Sequence, residues 1–569
     1  MATAAVGRLA PPRGLRLERL LPRLGIVVFI GALGYLTLLP LIRLQYLALK
    51  NGAQAYSDAY TRPGWWTTVK WTIELGLGSL AVALVVGTAL AWAANSLPPR
   101  LAVLRVIPIL PIVVPAVASV LGWAFLLSPH PGYLNQLLRL LPWWSDRFDG
   151  PGDIYTLPWI IIITGLALAS FIYLFVSSGF ENINGELVEA AQVSGSSRTG
   201  VFFRVILPLL RPSLVYGAGV ALLLGLGQFT APLILGSNQN ISVLTTEMYR
   251  ASQQTPPQYG TAAAIGSPLL VFGIFVLFMN RVLLGDHTRF VTHGGKGGFR
   301  TIAPGSKLAA FWIVLYGALS TFLPMLALVF VSLSRFWTGD VHPSKMTLAT
   351  WRTVTSASGV MPAVWNSIYL SLAAVAIALP VGFVAASLLR RRRDHPIAGP
   401  ILDFIVAMPL SIPAVIFGVG FLFTYTNEPL VLYGTRWVLV LVYVTLMIPF
   451  STRMQLGAMA ALGDAYTEAS RAAGAGPLRT NLRIVVPLLR PAFGGAAALM
   501  FVLLTHEFAA SLLVRAPTIN VMGTILYDYY ENGGYPLVAC ISLIMVGVTT
   551  AGVLAAVILG GGSEAFKRL

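Results

Sequence analysis

Two stretches of this chain carry residues whose types and spacing could do work, and the second repeats the first. Glu189-Ala190-Ala191 is followed after three residues by Gly195, and after nine more by Val205-Ile206-Leu207-Pro208. Glu468-Ala469-Ser470 is followed at the same intervals by Gly474 and by Ile484-Val485-Val486-Pro487. Each copy runs 19 positions from Glu to Pro and continues Leu-Leu-Arg-Pro. The chemistry such residues offer is recognition rather than bond making. The small residues after each Glu let another surface approach closely. Gly195 and Gly474 permit positive φ, so one short helix can end and another start at a steep angle. Pro208 and Pro487 fix φ where the chain turns back, and each Glu can cap or ion-pair at the turn. One copy alone would read as an ordinary amphipathic hairpin; two matched copies point to a shape needed twice.

Bond-making constellations are missing from the sequence. There is no phosphate-binding G-x-x-x-x-G-K-[ST], no H-E-x-x-H, no Cys/His cluster and no nucleophile–base pair in a polar segment. The lone Cys540 excludes a disulfide framework. No residue is assigned as catalytic or as a metal ligand, and an enzymatic role is not expected.

These stretches must be positioned by a membrane protein. The 569 residues are 56% hydrophobic and only 10% charged, far below the charge of a soluble domain. The net charge of +17 sits in short loops between apolar runs, which excludes a nucleic-acid reading. Runs near 24–48, 68–94, 103–127, 157–179, 209–235, 263–284, 308–333, 364–389, 401–424, 436–452, 492–514 and 536–560 are each expected to cross as a helix. The fold class is therefore all-α, a polytopic transmembrane bundle of about twelve spans. The basic residues Arg8, Arg13, Arg16, Arg19 and Arg23 precede the first run, which is too long for a signal peptide's apolar segment and reads as a retained span.

Lys and Arg put both matched stretches, the N-terminal tail, the Arg390–Arg393 cluster and Lys567-Arg568 on one side, the cytoplasm by the positive-inside rule. Both termini are thus expected to be cytoplasmic. The spans divide into a basic tail (1–23), a first repeat (24–284), a Gly-rich linker (285–307) and a second repeat (308–569). Trp66 opens the second span as Trp365 opens the eighth, and Pro111 and Pro115 recur as Pro409 and Pro413. Six spans per half make the repeats parallel, with a translocation path on the axis between them. The loop 128–157 is longer than its counterpart and holds Leu134 to Leu141 followed by Trp143-Trp144, the pattern of an interfacial amphipathic helix with an aromatic anchor.

The pattern Glu-Ala-Ala, three, Gly, nine, Ile-x-Leu-Pro resembles the cytoplasmic coupling motif of integral membrane permeases of ATP-binding-cassette importers. The chain looks like the fused kind, with both permease halves of a type I importer in one polypeptide. Departures are mild: Val205 for Ile, Ser470 for the second Ala and Val486 for Leu. The resemblance implies that Glu189, Ala190, Ala191, Gly195 and Pro208, and Glu468, Ala469, Ser470, Gly474 and Pro487, couple the membrane domain to a separate ATPase. It further implies two ATPase copies carrying ATP and Mg, an extracytoplasmic substrate-binding protein, the bacterial inner membrane, and no cofactor on this chain. Arg289-Phe290-Val291-Thr292, the Gly-Gly-Lys-Gly-Gly-Phe run and Glu507-Phe508-Ala509-Ala510-Ser511 look most like the ferric-iron group, with thiamine second and polyamine or phosphonate as further alternatives. A secondary transporter is the rival from another class, but it would have no use for two matched cytoplasmic stretches.

Intramembrane polar residues mark candidate path positions, because a charge at mid-bilayer costs about 2.5–3.5 kcal/mol on insertion scales. Superposing the copies sets Gln228-Phe229-Thr230 opposite Glu507-Phe508-Ala509, with His506 beside Glu507. Gln228, Thr230, His506 and Glu507 either line the path near an outer gate or pack between helices. Glu74 and Asp403, each near a helix end, read as snorkelling or capping residues. These are too few oxygens for an all-protein trivalent-cation site, so a metal cargo would arrive on the binding protein.

Overall fold

A computed structural model describes residues 14–146, 148–181, 183, 185–284, 306–338, 344, 346–391, 394 and 396–559. Residues 1–13 of the expected tail, 285–305 of the expected linker and the basic C-terminus lie outside them. Every regular element among the described residues is a helix. Nine are long and apolar enough to cross a membrane, or up to twelve if each bent pair counts as one span. Backbone polar groups in hydrocarbon must be satisfied within the segment, which only a helix does without a partner strand.

The first half runs α1 (Gly14–Tyr60), α2 (Trp65–Asn95), α3 (Pro99–Val113), α4 (Ala116–Leu127), α5 (Tyr133–Leu138) and α6 (Leu157–Glu181). Then come α7 (Gly185–Val193), α8 (Thr199–Leu209), α9 (Arg211–Leu226), α10 (Thr230–Ile234), α11 (Leu244–Gln253) and α12 (Tyr259–Leu284). The second half follows the same order with α14 added and no counterpart of α5: α13 (Lys307–Ser332), α14 (Ala349–Ser356), α15 (Val360–Arg390), α16 (Ala398–Ser411), α17 (Ala414–Tyr425) and α18 (Arg436–Leu462). It closes with α19 (Ala465–Ala472), α20 (Pro477–Leu488), α21 (Arg490–Thr505), α22 (Ala509–Val514), α23 (Met522–Glu531) and α24 (Tyr535–Leu559).

Four of the expected spans are not continuous helices. The runs at 103–127 and 401–424 bend by 94° and 107° between α3 and α4 and between α16 and α17. Pro115 and Pro413 cause this: Val114 and Ile412 before them are extended (ψ 129° and 132°), the conformation a following proline imposes. The expected spans 209–235 and 492–514 each break before a short terminal helix, at Gly227–Phe229 and at His506–Phe508. The expected helix at 436–452 continues to Leu462.

The halves interlock. α1 packs on α12 of its own half and crosses to α16 and α17, while α13 packs on α24 and crosses to α4. Both crossings use the same small-against-proline contact. A Cβ on Gly122 would fall 2.4 Å from the Pro324 carbonyl oxygen, and one on Gly420 3.0 Å from that of Pro40. Arg43 on α1 holds the end of α17 by donating to Thr424 O (3.3 Å) and Glu428 O (3.0 Å).

One buried cluster runs through both halves, joining Leu75, Phe125 and Phe229 to Phe417, Tyr443 and Phe508. Nearer the matched stretches packing divides. Leu90, Ile172, Phe180 and Ile206 form one cluster; Ala386, Met459, Val485 and Leu489 form another.

The Trp66–Trp365 landmark is out of register. Thr72 Oγ1 accepts from Leu244 N (3.0 Å) and Ser367 Oγ from Met522 N (2.8 Å), so Thr72 and Ser367 are the equivalent positions. Trp66 then corresponds to Met361. Two exposed tryptophans near like helix ends reflect the membrane interface rather than the repeat. In the loop 128–157 Leu137, Leu140 and Trp143 are exposed. Its helix is only α5, and Asn135 is fully buried, donating to Ser128 O (2.8 Å) and Gly152 O (2.6 Å) while accepting from Gly152 N (3.0 Å). Backbone N–H groups of Phe148 and Asp149 hold the Asp146 carboxyl below its usual range in this loop.

Candidate coupling sites and translocation path

Each matched stretch folds as two short helices at the same end of the bundle, α7–α8 and α19–α20. The joints are alike bond for bond. Gly195 N donates to Gln192 O (2.9 Å) and Ser196 N to Ala191 O (3.0 Å); Gly474 N donates to Arg471 O (2.9 Å) and Ala475 N to Ser470 O (3.0 Å). Gly195 and Gly474 take φ +85° and +78°, the left-handed residue that closes a helix C-terminus. A Cβ at either would meet nothing within 4 Å, so backbone conformation and not space requires the glycine.

Pro208 and Pro487 lie inside α8 and α20, three residues before α9 and α21 begin, and not at the bend itself. The 70° turn into α21 comes at Leu489. Glu189, Ala190, Glu468 and Ala469 are exposed, and among the described residues neither Glu is ion-paired, so the expected cap or pair at the turn is not formed. Val193 on the first hairpin and Tyr466, Leu478 and Leu482 on the second stand exposed. The two copies differ inside. Ala191 and Val201 meet the positions of Ser470 and Thr480, and the second pair shares a hydroxyl hydrogen bond of 2.9 Å. The Ser470 departure thus comes with its own partner.

At the far end the broken spans meet on the axis. The rings of Phe229 and Phe508 lie 5.8 Å apart, flanked by Tyr249 (5.6 Å from Phe229) and Tyr527 (5.6 Å from Phe508). Tyr530 ties the halves by donating to Ile234 O (2.9 Å). The polar residues singled out from the sequence surround this row and do not point as a set at one place. Glu507 turns back onto α22, accepting from Ala510 N (2.8 Å), from Ser511 N (2.8 Å) and from the Ser511 hydroxyl. Ser511 in turn shares a 2.8 Å hydrogen bond with Tyr443. Gln228 accepts from Phe229 N (3.1 Å), Thr230 is buried in the first turn of α10, and His506 is half-buried with Nδ1 unpartnered. The phenylalanine pair was not singled out from sequence, although one aromatic at the same place in both copies was the signal. Asp403 pairs with Arg453 (2.7 Å) and Glu74 with Lys70 (3.7 Å) instead of snorkelling alone. Among the described residues no three His, Cys, Asp or Glu could hold a metal ion.

A family model described as binding-protein-dependent transport system inner membrane component matches twice, over residues 79–285 and 378–561. The chain belongs to that permease family. Both matches span one of the matched stretches and a broken fifth span, so this permease is a fused two-copy member. It is 26% identical over 491 residues to the ferric transport system permease protein FbpB of Actinobacillus pleuropneumoniae, covering 83% of this chain and 68% of that one. It is 25% identical over 572 residues to the probable ABC transporter permease protein y4fN of Sinorhizobium fredii, covering 96% and 97%. A putative 2-aminoethylphosphonate transport system permease protein PhnV of Salmonella typhimurium is 26% identical over 251 residues, 43% of this permease and 90% of its own length.

Proposed function

We propose that this permease is the membrane subunit of an ATP-driven, binding-protein-dependent importer of ferric iron in a bacterial inner membrane. The observation that carries the coupling role is the identical joint at Gly195 and Gly474, a pair of like sockets that fits two copies of one ATPase. The motif end is then cytoplasmic, with both termini on that side, and ATP and Mg are held by the partner. The far end faces the extracytoplasmic binding protein. Phe229 and Phe508 close the path there, with Gln228, Thr230, His506 and Glu507 around them. Ferric iron rests on the similarity to FbpB; the similarity to PhnV favours 2-aminoethylphosphonate as a second reading. The test is co-purification with the ATPase, then uptake of labelled iron into proteoliposomes with ATP inside and loaded binding protein outside. Competition by 2-aminoethylphosphonate without iron uptake would move the assignment to the second cargo. ATP-independent uptake driven by an ion gradient would refute the importer reading.

A further inference from the structure

The two coupling hairpins are alike at their glycines but not at their roots. In the second half three elements converge on one guanidinium. Arg390 is the last residue of α15, Gly463 caps the end of α18, and Asp464 stands at the N-cap position of α19. Arg390 Nη2 donates to Gly463 O (2.6 Å) and pairs with the Asp464 carboxylate. Aspartate is a favoured N-cap because its carboxylate can take a free N–H of the first turn. Asp464 does not use it so. Its backbone oxygen starts α19, accepting from Glu468 N (2.9 Å), while its side chain makes no cap bond and goes to Arg390. The first half cannot build this contact. The equivalent positions are Asn95, the last residue of α2, and Gly185, which opens α7. Asn95 donates within its own helix to Ala91 O (2.9 Å), and Gly185 has no side chain.

We propose that Arg390 and Asp464 form a latch that makes α15, α18 and α19 move as one body, so that the two coupling sites transmit unequally. This rests on the coupling role proposed above. A partner pushing on α19 moves α18 through the backbone and α15 through the latch. On α7 the position of Asp464 is Gly185, and the position of Arg390 on α2 is the uncharged Asn95, so this particular ion pair has no counterpart there. Arg390 and Asp464 are positioning residues: neither touches cargo or nucleotide.

The test uses the full permease with its ATPase in proteoliposomes. Arg390→Gln and Asp464→Asn should retain ATPase co-purification and the hydrolysis rate, while cargo moved per ATP falls about fivefold, the scale of one partly exposed ion pair. The exchange Arg390→Asp with Asp464→Arg should recover the ratio, which a merely structural role would not require. In a Cys540→Ala background, Arg390→Cys with Asp464→Cys should lose coupling as free thiols and regain it when a short bifunctional thiol reagent joins them. Wild-type transport per ATP in both single variants would overturn the latch, as would loss of transport on cross-linking, since the two ends would then have to separate. A wild-type chain that binds no ATPase would instead overturn the coupling role.

Discussion

Replacing Gly474 tests the coupling joint most sharply, because its surroundings isolate one cause. Its φ is +78° and a Cβ there meets no atom within 4 Å. Alanine therefore brings no clash but holds a left-handed conformation, at about 1–2 kcal/mol. The smaller entropy of the unfolded chain returns about 0.4–1 kcal/mol, leaving a net near 1 kcal/mol. Asparagine visits this region with several-fold enrichment and should cost less. Valine, branched at Cβ, should cost more than alanine. The strain is local to the hairpin, so the midpoint of thermal unfolding should barely move, while the population holding α19 and α20 at the binding angle should drop. With about 1.4 kcal/mol per tenfold, ATPase affinity should fall about fivefold for Gly474→Ala and beyond tenfold for Gly474→Val. Gly195, with the same joint in the other half, should give the same order, and the losses should add because the sites share no partner. Binding of the purified ATPase to the permease in nanodiscs reads this directly. Valine binding as tightly as glycine would refute the argument. Asparagine as poor as valine would show that the partner needs the space and not the φ.

Three further outcomes follow from the packing. Ser470→Ala removes the hydroxyl pair but leaves Thr480 Oγ1 donating to Gly476 O (3.1 Å), and should destabilise the second hairpin by about 0.5–1 kcal/mol, whereas Ser470→Ala with Thr480→Val, the first copy's pair, should lose the Gly476 bond as well and recover nothing; amide exchange over 465–488 is the measurement. Glu507→Ala removes the acceptor for two N–H groups of α22 and should cost about 1–2 kcal/mol, seen as a lowered unfolding midpoint, with Glu507→Gln between it and wild type. Phe508→Ala opens the row between Tyr249 and Tyr527 and should make empty proteoliposomes leak small ions without ATP, while Phe508→Trp should not; tight vesicles from the alanine variant would show that the seal lies elsewhere.

The helices, their order and the two joints were legible in the chain because each depends on local chemistry. An apolar run must satisfy its backbone in lipid, and Gly195 and Gly474 repeat because a left-handed turn admits few other residues. The bends at Pro115 and Pro413 were visible as repeated prolines, yet they were read as landmarks inside straight spans, since a proline alone does not fix the angle a neighbouring helix demands. What touches what was settled only by the tertiary structure. Trp66 and Trp365 looked equivalent until Thr72 and Ser367 set the register. Ser470 looked like a tolerated variant until Thr480 stood beside it. That the Glu507 carboxylate turns onto α22 was not written in the chain, and Phe229 and Phe508 became the central pair only when the halves closed on each other. The periodicity of a helix fixes which residues share a face; which face meets the axis depends on helices hundreds of residues away, here on α1 and α13 crossing between the halves.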